Sequence, residues 1–107
     1  MRMPVVVVFS TFPTEGKAAE VAQALVGERL AACVNLVPRI RSIYRWEGKI
    51  CDEAETLAVI KTTAERAGTL TARLVELHPY DVPEAIVLPV DGGHAPYLAW
   101  VTESVRR

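Results

Sequence analysis

Histidine and cysteine are scarce in this chain, with two of each among 107 residues. Cys33 and Cys51 are too far apart for a CxxC motif, and neither His78 nor His94 stands in an HxxxH or HxxE spacing. No dithiol redox centre and no zinc motif is therefore written in the sequence. Two cysteines also make no disulfide framework, and the Ala-Ala-Cys-Val setting of Cys33 reads as a buried thiol. An excess of charge of one sign is missing too: 12 Lys and Arg stand against 13 Asp and Glu, a net charge of -1. Such a balance supplies no overall field to gather nucleic acid or an anionic membrane. The longest apolar run, Val5 to Phe9, is too short to cross a bilayer, and with only Met1-Arg2-Met3-Pro4 before it the pattern of a signal peptide is lacking. These absences predict a soluble, cytoplasmic protein with no membrane and no nucleic-acid partner. Catalytic signatures are wanting as well. No Ser or Cys nucleophile sits beside a His in an elbow, and Thr11 to Gly16, which opens a helix, has one glycine where a phosphate loop needs several. The chain reads as a non-enzyme.

What is present is enough apolar material for a core, since half the residues are hydrophobic. The length suits one compact domain over residues 1–107. Val5 to Phe9 is a β-branched and aromatic run suited to a strand covered on both faces, and Pro13-Thr14-Glu15 ends it. Thr14 is a candidate N-cap with Glu15 well placed against the helix dipole; Ala18, Val21, Ala22 and Leu25 then recur at helical spacing. Cys33 to Trp46 predicts a long strand containing Pro38, and a tight Glu47-Gly48 turn leads into a third strand from Ile50 to Thr62. Thr62-Thr63-Ala64-Glu65 has the form of a capping box, and Ala67, Leu70, Leu74 and Leu77 mark the apolar face of a second helix. His78 to Pro83 is a proline-stiffened connector. Ala85 to Val90 predicts a fourth strand, Asp91-Gly92-Gly93 ends it, and a short C-terminal helix follows with Pro96 in its first turn and Arg106-Arg107 in its last.

The order β-α-β-β-α-β plus a C-terminal helix predicts an α+β, ferredoxin-like fold: an antiparallel sheet in the order 4-1-3-2, with a long hairpin joining the second and third strands. The prolines agree with it. Pro38 and Pro89 would each delete a ladder hydrogen bond, and both fall on strands that this order places at the edges.

The segment Leu30 to Ile50 carries the most information, because so long an arm cannot bury both its faces in so small a protein. Ile40, Tyr44 and Trp46 need a covering surface, and self-association supplies it most simply. Other chemistry is sparse. Lys61 and Glu84 are candidates for a partly buried charge pair, and a cleft bordered by Lys61, His78, Tyr80, Glu84 and Trp100 is the candidate ligand site, at a boundary between subunits. RNA-recognition modules share the topology, and Arg39, Arg41, Tyr44, Arg45 and Trp46 mix basic and aromatic groups. The third strand, however, reads Leu57-Ala58-Val59-Ile60 where those modules carry stacking aromatics, and Glu53 and Glu55 face Arg41 as cross-strand partners.

The segments LAACVNLVP, SIYRWEGKI, Ile60-Lys61-Thr62, HPYDVPE and the closing Tyr97-Leu98-xx-Trp100 together resemble the CutA divalent-cation-tolerance family over nearly the whole chain. The resemblance implies a cytoplasmic homotrimer of ferredoxin-like subunits joined by strand pairing, with Ile40, Tyr44 and Trp46 at the interface. It also implies a role in tolerance of copper and other divalent metals, by metal binding or regulation. Copper or zinc is the metal implied, and no cofactor is required. The family's proposed copper ligands fall at Ser10, Leu77 and His78, of which only His78 is a comparable donor. Trimeric signalling proteins of the PII type share the subunit topology, which makes a sensor of small anions the rival reading.

Overall fold

Val5–Phe12 forms the first strand, β1, and its side chains alternate between the helix-covered face and the open one. In this computed structural model, which describes residues 4–106, the other elements are α1 (Glu15–Gly27), β2 (Cys33–Trp46), β3 (Lys49–Thr63), α2 (Ala64–Leu77), β4 (Ile86–Pro89) and α3 (Ala95–Ser104). The four strands make one antiparallel sheet in the order β2-β3-β1-β4, which is the predicted 4-1-3-2 order read from the opposite edge. Pro38 and Pro89 do lie on the two outer strands.

The core lies between the sheet and the helices α1 and α2. Val8 and Phe12 of β1, Ala58 and Ile60 of β3, Val21 and Leu25 of α1, and Leu70 and Leu74 of α2 are all essentially inaccessible. Period-two alternation puts Val7, Phe9, Leu57, Val59 and Lys61 on the other face. There α3 covers one end only: it meets β1 and β3, buries Val101, and sets Tyr97 beside the thiol of Cys33, the register partner of Lys61.

Caps follow from the residues at each boundary. The Thr14 hydroxyl accepts from Lys17 N–H at 3.1 Å and starts α1 as expected. At the other end of α1, Arg29 takes a left-handed φ of 59°, and the buried Arg66 guanidinium of α2 donates to its carbonyl at 3.2 Å. The cap of α2 is Thr63, which accepts from Arg66 N–H, so the Thr62–Glu65 capping box does not form. Thr62 alternates inward instead and donates to the Leu30 carbonyl at 2.7 Å, a buried bond that ties β3 to the chain entering β2. Strand limits also shift, β3 by one residue at each end to Lys49–Thr63. β1 continues past Phe9 to Phe12 because Ser10 and Phe12 still face the core, and β4 is confined to Ile86–Pro89, the residues in register with β1, although Val90 N–H still donates to the Val5 carbonyl at 3.1 Å. Arg106 lies beyond α3, and Arg107 falls outside the described residues.

The feature that shapes the molecule is the β2–β3 hairpin. β1 ends where Phe12 faces Thr56, while β2 and β3 run on alone to the turn, giving a long axis of 47 Å against 25 and 21 Å. Glu47 and Gly48 both have positive φ, 50° and 78°, as a two-residue turn between twisted strands requires. A bulge between Val37 and Ile40 inserts one extra residue, with Arg39 at φ 56°. Beyond that bulge Ile40, Ser42, Tyr44 and Trp46 share the open face of the sheet with Glu53 and Glu55.

Candidate functional site

Where the hairpin leaves the body of the sheet, its open face meets the connector that follows α2. His78 anchors that corner. Its ring is buried, stacked on Phe12 with centroids 4.3 Å apart, and both nitrogens are engaged: Nδ1 accepts from Tyr80 N–H at 3.1 Å, so Nε2 carries the proton and donates to the Thr11 carbonyl at 2.8 Å. Burial holds the imidazole below its ordinary pKa, against the opposing pull of the Thr11 carbonyl and Glu55. This neutral His78 turns the chain so that the Tyr80 ring lies across the sheet edge, and the Tyr80 hydroxyl donates to Glu55 Oε2 at 2.6 Å.

Between Tyr80 and the hairpin lies a pocket of about 670 Å³. Its aromatic wall is Tyr44, Trp46 and Tyr80; its polar wall is Glu53, Glu55, Asp81 and Glu84. The Tyr44 hydroxyl donates to Glu53 at 2.5 Å, and both phenols are pushed far above their ordinary pKa, Tyr44 chiefly by that bond and Tyr80 chiefly by burial. Burial, with the Glu55 charge adding to it, also raises the Glu84 carboxyl. Among the described residues, no Lys, Arg or His lines the pocket.

Of the residues proposed for the cleft, the fold brings Tyr80 and Glu84 together and sets His78 directly behind them. Lys61 and Trp100 belong elsewhere in the same chain. Lys61 donates to Asn35 Oδ1, near Cys33, and makes no ion pair with Glu84; Trp100 packs against Tyr97 on α3, 5.6 Å between centroids. Arg41 is bound by Asp52 through two bonds of 2.9 and 2.7 Å, not by Glu53 or Glu55, because those two carboxylates lie on the other face of the hairpin. Glu53 and Glu55 are the site residues that sequence reasoning missed. The turn alone could have found them, since its register sets Ser42 opposite Glu53 and Ile40 opposite Glu55, on the face that carries Tyr44.

For a metal centre of the type the resemblance implies, the residues present do not fit. Leu77 has no donor atom, the Ser10 hydroxyl is fully buried without a partner, and both His78 nitrogens are hydrogen-bonded. Among the described residues no three His, Cys, Asp or Glu side chains converge as a metal site within one chain.

Topology and exposed edges together define a ferredoxin-like α+β protein with a projecting hairpin. A sequence profile described as CutA1 divalent ion tolerance protein matches residues 6–104, and the chain belongs to that family. The divalent-cation tolerance protein CutA of Thermus thermophilus is 48% identical over 98 residues, which cover 92% of this chain and 95% of that one. Protein CutA of Mus musculus is 52% identical over 100 residues, 91% of this chain but only 56% of the mouse protein, so this chain spans little more than half of that relative. The crystal structure of CutA from Xylella fastidiosa superposes with a TM-score of 0.93 at 42% identity, covering 95% of this chain and 98% of that one. The family takes its name from tolerance of divalent ions and not from a reaction.

These relatives correct one expectation. A solved homologue from Archaeoglobus fulgidus, 31% identical with a TM-score of 0.92, is described as periplasmic, and a relative from Oryza sativa, 44% identical over 104 residues, as chloroplastic. The cytoplasmic assignment therefore does not stand. The same packed fold serves in several compartments, because an address is a short segment recognised apart from the core.

Proposed function

We propose that the chain works as a homotrimer associated with tolerance of divalent metals, copper among them, and acts by binding or regulation without catalysing a reaction. The observation that carries this reading is the bareness of the two outer strands. On β4, Ile86, Val87 and Leu88 are 51%, 43% and 39% exposed, and on the hairpin Trp46 and Ile50 are 47% and 71% exposed. Open apolar edges of this kind invite pairing with any other strand, and a closed ring of copies removes the hazard. In this proposal β2 of one protomer pairs with β4 of the next, and Ile40, Tyr44 and Trp46 are covered at the interface. Family membership supports the link to divalent metals.

With no complete donor set among the described residues of one chain, a bound metal in this proposal draws its ligands from more than one protomer. The test is a thermal melt with copper or zinc added in steps. A saturable rise supports direct binding, and its loss in His78→Ala makes that histidine a ligand, whereas its survival there assigns the ligands elsewhere. A melting curve unmoved by metal overturns direct binding and leaves regulation. The rival reading, a sensor of small anions, draws no support from the pocket, whose charged lining is entirely acidic.

A further inference from the structure

We infer that the pocket between the hairpin and the connector holds an organic cation, a guanidinium or primary ammonium group, seated between the rings of Tyr44, Trp46 and Tyr80 and the carboxylates of Glu53, Glu55 and Glu84. Three independent observations lead there. The first is charge. Glu55 is 93% buried, being only 7% exposed, yet its partner is a neutral phenol, and none of the ion pairs among the described residues reaches Glu53, Glu55, Asp81 or Glu84. A buried carboxylate such as Glu55 is costly without a counter-ion, and a cation that enters the pocket removes that cost.

The second is shape. A volume of about 670 Å³ is that of a small-molecule site, far larger than one ion needs, and the carboxylates are not gathered closely enough for three of them to ligate a metal. A cation with several N–H donors spread over a few ångströms suits such spacing better than a point charge does. The third is the aromatic wall. Tyr44 and Tyr80 both turn their hydroxyl hydrogens toward carboxylates, which leaves ring faces and carboxylate lone pairs for a ligand that is both flat and positive. Burial first, and the Glu55 charge after it, disfavour the charged form of Glu84, and a cation in the pocket offsets both.

The same chemistry has two sources, a free amine or a basic side chain from a neighbouring copy. Arg39, Arg45 and Lys49 are exposed on the hairpin and take part in no ion pair among the described residues, so a second protomer has cations to offer. The inference needs no metal, and where a neighbour covers Tyr44 and Trp46, as proposed above, that neighbour's cation is the occupant.

Agmatine, which carries a guanidinium at one end and an ammonium at the other, is the ligand to titrate. Trp46 fluorescence in a Trp100→Phe background reports on the pocket alone, with calorimetry alongside. The expected result is saturable binding that succinate does not reproduce, weakened about tenfold or more by Glu55→Gln and also by Glu84→Gln, as loss of a charge-assisted contact predicts. If the unaltered chain fails to bind, the variant Arg39→Gln/Arg45→Gln/Lys49→Gln separates the sources. Binding that appears only in this variant shows that a neighbour's cation fills the pocket. Binding in neither form, or binding that both Glu→Gln changes leave intact, overturns the inference. Chain mass measured on the same samples keeps this outcome separate from the fate of the trimer.

Discussion

The two ends of the sheet are built on opposite terms. At the base, β1 and β3 pack one face against both α1 and α2, and Val8, Leu70 and Leu74 have no exposed surface. At the tip, beyond the last β1–β3 pair, a two-stranded ribbon carries Ile43 and Ile50 at 63% and 71% exposure. A lone two-stranded ribbon is marginal in water. The base can fold on its own side chains, whereas the tip has an ordered turn and a full ladder but too little apolar cover within the chain. In the proposed trimer, neighbouring copies supply the contacts that the tip lacks.

The contrast can be broken at either end. The largest effect is expected at the base, where Leu70→Ala leaves a cavity between α2 and β3. It should cost about 2–5 kcal/mol, read as a shift of the denaturant midpoint. Trp46→Ala at the tip should leave far-UV circular dichroism unchanged yet lower the mass of the assembly, with a loss of about 2 kcal/mol or more in association if the indole is an anchor. Unchanged mass would remove Trp46 from the interface.

Smaller effects sharpen the comparison. The Ser10 hydroxyl is buried in the core with no partner, so Ser10→Ala should raise stability by about 1 kcal/mol, the reverse of an ordinary core truncation. Arg41→Ala removes an ion pair from the tip, but Arg41 and Asp52 are 75% and 45% exposed and solvent screens them, so the shift in melting temperature should be small and vanish in high salt. The smallest is a pH effect. Burial lowers the His78 pKa below the 6.5 of a free imidazole, so the unfolded chain takes up the proton first. Stability should thus fall as pH drops through 6.5 toward the lower folded value, and be free of this penalty above 6.5. His78→Gln should flatten that slope in melts across the same range.

Much of the base was legible in the chain. Val5 to Phe9 announced a buried strand, Thr14 a helix start, and the edge prolines Pro38 and Pro89 the strand order, because each of these is a local rule acting within a few residues. The length of the hairpin was equally plain, since Glu47-Gly48 fixes a turn and the register then follows by counting. What escaped depended on distant partners. Thr62 forms no cap because the Leu30 carbonyl claims its hydroxyl across the core. Arg41 finds Asp52 because strand alternation places Glu53 on the opposite face. The pocket exists only because His78 bends the connector and swings Tyr80 onto Glu55, two positions separated by the whole of α2. No local pattern encodes that meeting.

The central claim is that the ribbon's missing cover is supplied by other copies of the same chain. Sedimentation equilibrium at micromolar concentration tests it most directly. The account predicts a single species at about three times the 11.7 kDa chain mass, whereas a stable, monodisperse species at the chain mass itself would contradict it.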